Sequence, residues 1–198
     1  MSSLNHVIII PGLGNDVRLI SWATRSWMRH GITPHVFDAQ WKIEEPQFLP
    51  KLDRAIALVD KLSSMGKRVS IIGNSAGSSF AINLYKARHI KIHKVVINCG
   101  RVRTHDLPWF TFNQATLTSP SFKVSCINSE KILNDLTIQD KNKILTLRPL
   151  FDEIVPSTTV YINGANNQVV PLVGHSFTIG FNLTIGRGVI FNHINQLS

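Results

Sequence analysis

Acidic residues are scarce: 12 Asp+Glu stand against 21 Lys+Arg in 198 residues, leaving a formal net charge of +9. That balance favours encounters with anionic surfaces but specifies no chemistry. Cysteine is scarcer still. Cys99 and Cys126, in a chain able to bury its own core, argue against a disulfide scaffold and fit a reducing, cytoplasmic compartment. Neither has CxxC or other metal-ligand spacing. Long apolar runs are missing too. None approaches the roughly 18 residues a membrane span needs, and the His6 to Ile10 run is too short for a signal-peptide core and lacks a cleavage site. A soluble, unprocessed protein is expected. There is no internal repeat, low-complexity stretch or linker, so residues 1–198, 43% hydrophobic, read as one domain with a sizeable core.

What is present is an alternation of strand and helix signals. Val7 to Ile10 is a continuous β-branched run ending at Pro11-Gly12, the pattern of a strand covered on both faces and hence parallel to its neighbours. From Asp16, a candidate N-cap, Val17, Ile20, Ala23, Trp27 and Met28 recur at helical spacing until Gly31. Pro34 to Phe37 reads as a second strand. Leu49 to Leu62 places Leu52, Ile56, Val59 and Leu62 on one amphipathic stripe, stopped at Gly66. Val69 to Ile72, Val95 to Asn98, Ile144 to Leu147 and Val169 to Val173 supply four more strands. Helices are expected over Ala76 to Arg88 and Val189 to Leu197. This alternation predicts an α/β fold: a mostly parallel, six-stranded sheet with helices on both faces. Residues 100–140 break the rhythm and hold Trp109, Phe110 and Phe112, so a small insertion there is expected to form a lid or an apolar pocket wall. Ordinary core is the competing reading for these aromatics, and for Trp22, Trp27 and Trp41.

Gly73-Asn74-Ser75-Ala76-Gly77 is G-x-S-x-G, set between a strand and a helix. A sharp strand-to-helix turn strains its central residue and demands small neighbours, so Ser75 is pushed out at the carboxyl edge of the sheet. The helix N-terminus offers unpaired N–H groups, with that of Ala76 placed where an oxyanion would form. A nucleophilic serine needs a base, and the base needs an orienting acid. Asp152 follows the Ile144 to Leu147 strand, and His175 follows Val169 to Val173. In a parallel sheet all three side chains emerge at one edge.

Ser75, Asp152 and His175 occur in the chain order of the α/β-hydrolase superfamily, which the sequence resembles over nearly its whole length. Asp152-Glu153-Ile154-Val155-Pro156 is similar to that family's acid loop, and Gly174-His175 to its histidine loop. Pro11-Gly12-Leu13-Gly14 is similar to its oxyanion loop, with Pro11 where many members have His. The first strand matches the third strand of the full fold, as in compact, N-terminally trimmed members among small bacterial hydrolase-like proteins. The resemblance implies a serine hydrolase for small or medium acyl esters or thioesters. In it His175 takes the Ser75 proton, Asp152 orients the imidazole, and the Leu13 and Ala76 N–H groups hold the oxyanion. It implies no metal and no organic cofactor, with water and a small acyl substrate as the partners. Glu153 is the adjacent alternative to Asp152.

Two other classes fit part of the sequence. Gly12-Leu13-Gly14 after a strand, with Asp38 at the end of the next, outlines a dinucleotide site, although Val17 occupies the third glycine position. Lys86, Arg88, Lys91, Lys94, Arg101 and Arg103, with His89 and His93 and no acid among them, suggest a non-catalytic role in binding an anionic or protein partner. No aromatic residue interleaves to stack bases, so nucleic acid is not the expected partner. His89 and His93 have helical i, i+4 spacing but no third metal ligand nearby.

Overall fold

The computed structural model describes residues 4–41, 46–105 and 112–196. The β-branched runs become six strands: β1 (Asn5–Ile10), β2 (Ile32–Val36), β3 (Arg68–Asn74), β4 (Ile92–Asn98), β5 (Ile144–Phe151) and β6 (Asn166–Val173). They form one sheet of order β2-β1-β3-β4-β5-β6, and every neighbouring pair is parallel. Connecting them are α1 (Val17–Thr24), α2 (Leu49–Ser64), α3 (Gly77–Arg88), α4 (Phe112–Thr118), α5 (Pro120–Asp135), α6 (Ile138–Lys141), α7 (Ser157–Val160), α8 (His175–Leu183) and α9 (Gly188–Asn195).

Successive strand side chains point to opposite faces, so each strand feeds two cores. Ile8, Ile10, Val69, Ile71, Val95 and Ile97 pack with residues of α2, α3 and α5. Val7, Ile9, Ile72, Val96, Leu145 and Leu147 pack with residues of α1, α8 and α9. Burial on both faces explains why these strands are apolar without alternation in the sequence. After β1 the chain moves one way to β2, and from β3 onward it moves the other way. The carboxyl ends of β1 and β3 therefore flank the crevice where ligands bind in open parallel sheets.

Three expectations need correction. The helix expected from Asp16 to Gly31 is α1 followed by a 3₁₀ segment, Arg25–His30, closed by Gly31 at φ +74°. The change comes at Thr24, whose hydroxyl donates to the Ile20 carbonyl at 2.8 Å, a back-bond that disturbs the helical ladder. Residues 112–141 hold the three helices α4, α5 and α6, and Phe112 lies in the core against Phe122. It therefore forms core, not a pocket wall, while Trp109 and Phe110 lie outside the described residues. His175 is the first residue of α8, not part of an open loop. The C-terminal helix is Gly188–Asn195, and Leu197 lies outside the described residues. Among the described residues no helix is long and apolar enough to cross a membrane.

Candidate active site

Ser75 sits between β3 and α3 with φ +51°, a left-handed conformation unusual for a residue with a Cβ. Such backbone costs on the order of 1–3 kcal/mol and persists only where the surroundings enforce it. Here they do. A Cβ at Gly73 would lie 2.4 Å from the Gly77 carbonyl oxygen, and one at Gly77 would lie 2.3 Å from that of Ile10. Both glycines of the pentapeptide are thus needed for α3 to start this close to β1 and β3. The Ser75 N–H donates to the Asn98 carbonyl at 3.1 Å, and the Ser78 hydroxyl donates to that of Gly73 at 2.7 Å.

The acid and the imidazole arrive from β5 and β6. The β5–β6 register shifts between Pro149 and Phe151, and the Gly174 N–H donates to the Phe151 carbonyl at 3.0 Å. Gly174 turns at φ +98°, and His175 comes next as the start of α8. His175 Nδ1 lies 2.8 Å from Asp152 Oδ2, and His175 Nε2 lies 2.9 Å from Ser75 Oγ. An ionised carboxylate can only accept, so Nδ1 carries the proton and Nε2 is left to accept from the serine hydroxyl. The other Asp152 oxygen accepts from the Ile154 and Val155 N–H groups at 2.9 and 2.8 Å, which fixes the carboxylate. Both side chains are almost fully buried. Glu153 is engaged elsewhere: its two oxygens accept from the His175 main-chain N–H at 3.1 and 3.0 Å.

Behind these residues is a feature that was not anticipated from sequence. Asn182 of α8 donates to Asn98 Oδ1 at 2.8 Å, and Asn98 donates to Asn74 Oδ1 at 2.8 Å. The three buried amides tie the helix carrying His175 to the strand carrying Ser75. Buried polar groups must be paired, so three asparagines at strand ends and on a helix are a detectable but unspecific signal.

Leu13 lies just beyond β1, and Ala76 comes directly after Ser75. Among the described residues no acceptor takes the backbone N–H of either. Leu13 also lines the cleft that Ser75 reaches. A Cβ at Gly12 would lie 2.9 Å from the Ser75 Cβ, so the β1 loop passes directly over the serine. A cleft of about 400 Å3 opens here, reached by Ser75 and His175 and walled by α1 and α8. Among the described residues its walls come from residues 12–23, 74–75, 154 and 175–183, with none from the described part of 100–140.

The remaining sequence candidates disperse. Arg88 and Lys91 both pair with Asp60 of α2, at 2.9 and 2.7 Å, and hold its carboxyl down at about 2. Lys94 and Arg101 are buried, the latter over the Phe112 ring, and Arg103 donates to the Tyr161 carbonyl. The basic segment is therefore not one free face. His89 caps α3 while His93 lies in β4, so the helical spacing assumed for the pair does not occur. Among the described residues no group of three or more His, Cys, Asp or Glu is arranged to hold a metal ion. Asp38 accepts from the Asn15 side chain at 2.6 Å and braces the loop, and a Cβ at Gly14 would meet nothing within 4 Å. The glycine that close approach requires is Gly12, and what approaches it is Ser75. Trp27 and Trp41 are buried, with indole N–H groups donating to the Leu183 and Pro11 carbonyls, whereas Trp22 is exposed. Both cysteines are free and buried. Burial, reinforced by Asp152 and Glu153, raises the Cys99 thiol far above its usual range, and burial pushes Cys126 up to about 12.

No protein-family model matches the sequence, and no curated protein matches it. Solved structures do match in shape. A hydrolase of Oleispira antarctica superposes with TM-score 0.68 at 12% identity, over 97% of this chain and 92% of that one. A carboxylesterase of Nitrososphaera gargenis gives 0.67 at 12%, over 97% and 92%. An N-formylmaleamic acid deformylase of Pseudomonas putida gives 0.58 at 12%, over 91% of each chain. With its wholly parallel six-stranded sheet and this set of structural relatives, the chain has the α/β-hydrolase fold.

Proposed function

We propose that the protein is a serine hydrolase that cleaves an acyl ester or thioester through a covalent acyl-enzyme on Ser75. The observation that carries this reading is the unbroken relay from Asp152 Oδ2 through the His175 ring to Ser75 Oγ, with steps of 2.8 and 2.9 Å. Those are hydrogen-bond distances already short enough for proton transfer.

In the proposed cycle, His175 Nε2 removes the Ser75 proton as Oγ attacks the acyl carbonyl carbon. The carbonyl oxygen takes the negative charge and is held by the Leu13 and Ala76 N–H groups. Asp152 stabilises the imidazolium without itself being protonated. The tetrahedral intermediate collapses by expelling the alkoxide or thiolate, which takes the proton from His175. Water then attacks the acyl-enzyme, giving its proton to His175, and the carboxylic acid leaves as Ser75 recovers its hydrogen. Every step uses groups of this chain and water. The strained φ of Ser75 supports the reading, because it is a cost a purely structural serine need not bear, and the two N–H donors to Asp152 hold its other oxygen toward the imidazole.

The test is covalent labelling by a fluorophosphonate, read by intact mass, on wild type and Ser75→Ala. Labelling of the wild type that vanishes in the variant is expected, as is a loss of ester turnover of at least about 10⁴-fold in Ser75→Ala and His175→Ala. Full turnover by Ser75→Ala would refute the mechanism. The alternative of an anion-binding protein draws less support, because Arg88 and Lys91 are already paired with Asp60 and Lys94 and Arg101 are buried.

A further inference from the structure

We infer that the acyl group taken by this site is an uncharged, largely linear chain of about eight to ten carbons, lying in the trough between α1 and α8. This deepens the serine hydrolase reading and rests on it.

Both helices begin at the site, since Asp16 precedes α1 and His175 opens α8, and both carry the trough away from Ser75. From α1 the walls are Leu19, Ile20 and Ala23; from α8 they are Ile179, Gly180 and Leu183. Each trio has the i, i+1, i+4 spacing of a single helical stripe, so two apolar stripes face each other, while Asn15, Asp16, Asn74 and Ser176 add polar lining close in sequence to Ser75, Leu13 and His175. At 1.5 Å per residue, His175 to Leu183 spans about 12 Å, the reach of a zigzag chain of about eight to ten carbons with bonds near 1.5 Å. The lining from α8 stops at Leu183, the last residue of that helix. Trp27 is fully buried, and its indole N–H donates to the Leu183 carbonyl at 2.9 Å, pinning the 3₁₀ segment after α1 to the end of α8. The volume agrees, because about 400 Å3 holds about a dozen non-hydrogen atoms at the roughly 30 Å3 each that water takes in the liquid.

Charge defines the class as much as length does. Among the described residues that line the trough there is no Lys or Arg, although the chain carries a net +9. Apart from His175, its ionisable group is Asp16, an acid. An acyl chain ending in a carboxylate would therefore lose its hydration and meet no cation. An apolar chain instead covers surface that is now wet: Leu19 stands 58% exposed on the rim. Each methylene laid against the walls should raise kcat/KM about two- to fourfold until the trough is full.

The experiment is a series of nitrophenyl esters from about two to about sixteen acyl carbons, on wild type and Ala23→Leu, each preparation also titrated with a fluorophosphonate. The expected result is a kcat/KM maximum at about eight to ten carbons. A half-ester of a dicarboxylic acid of equal length should react at least about tenfold more slowly. Ala23→Leu should shift the maximum to shorter chains. A maximum at acetyl, a flat profile or preference for the carboxylate-ended ester overturns the inference, and so does an unshifted maximum in a folded, labelled Ala23→Leu. Should that variant not fold, the wild-type series decides alone. Absence of labelling in the wild type removes the hydrolase reading and this inference with it, whereas labelling with a flat profile removes the inference only.

Discussion

Glu153 holds His175 by its main chain and leaves the imidazole to Asp152. Both Glu153 oxygens accept from the His175 N–H at the first turn of α8, while the ring nitrogen meets the neighbouring carboxylate at 2.8 Å. Adjacent acids thus share one histidine, one setting the helix start and the other the ring.

That division separates two variants. Asp152→Asn should lower kcat by about 10³–10⁴-fold with a small change in stability, because the amide stabilises the wrong imidazole tautomer. Glu153→Ala should cost less than about tenfold in kcat but about 0.5–2 kcal/mol in urea unfolding, the usual range for a lost helix N-terminal acceptor. Equal kinetic losses in the two variants would contradict the assignment.

The glycines around Ser75 should differ in the same experiment. At Gly73 and Gly77 an added methyl meets main chain, which has no room to give, so Gly73→Ala and Gly77→Ala should each destabilise by about 3 kcal/mol or more. At Gly12 the methyl meets the Ser75 Cβ. Gly12→Ala should therefore lose activity by about 10²-fold with milder destabilisation, which parallel kinetics and denaturant curves would reveal.

Stability should depend on pH through histidines outside the site. His35, His93 and His193 are all held below their ordinary value of 6.5, chiefly by burial, with help from His6, from Arg68 and Lys94, and from Lys94 and His93 respectively. Each takes a proton more readily once unfolded. The unfolded chain then binds more protons near and below 6.5, so stability is full at neutral pH and lost as pH falls through that range. The urea midpoint should drop between about pH 7.5 and about pH 5, and His193→Gln should flatten the slope. A midpoint that rises on acidification over that interval would show the opposite linkage.

The amide ladder offers a separate measurement. Asn182→Leu leaves Asn98 Oδ1 without its donor from α8, at a cost of about 1–3 kcal/mol. Because Asn182 does not line the cleft, kcat should fall about tenfold with KM nearly unchanged if it positions His175. Asn182→Gln, which keeps an amide, should recover part of the loss, an outcome that simple loss of packing does not predict.

The sheet and the site residues were legible in the sequence for one shared reason. β1, β3, β4 and the first half of β5 are buried on both faces and so must be apolar runs, β6 is a mostly exposed edge strand that still reads as a β-branched run, and the loop after each strand lands at one edge of the sheet, where Ser75, Asp152 and His175 lie. The helices α4 to α8 were not legible, and α5 and α8 show why. α5 packs through Ser121, Ser125 and Ser129, a small-residue stripe whose Ser125 hydroxyl meets that of Ser79 on α3 at 2.9 Å, and no apolar periodicity marks such a face. α8 contains Thr178 and Gly180, poor helix formers, and has no Lys, Arg, Asp or Glu to outline a polar side. Without α8 the trough has no signature in the sequence, and the aromatics of 100–140 stand out in its place. The Cys99 backbone, at φ +51°, carried no sequence signal at all.

The sheet order gives the proposed chemistry an uneven footing. Ser75 leaves the third strand from one margin, enclosed by neighbours, whereas His175 hangs from β6, which among the described strands has a neighbour on one side only. The two residues stand 100 positions apart in the chain. A brief peeling of that margin would carry the base away while the nucleophile's elbow stayed intact. Local openings at the edge of a sheet come before global unfolding. Warming or mild denaturant would thus silence the molecule while most of its fold persists, and reseating one strand and one helix would be enough to restore it.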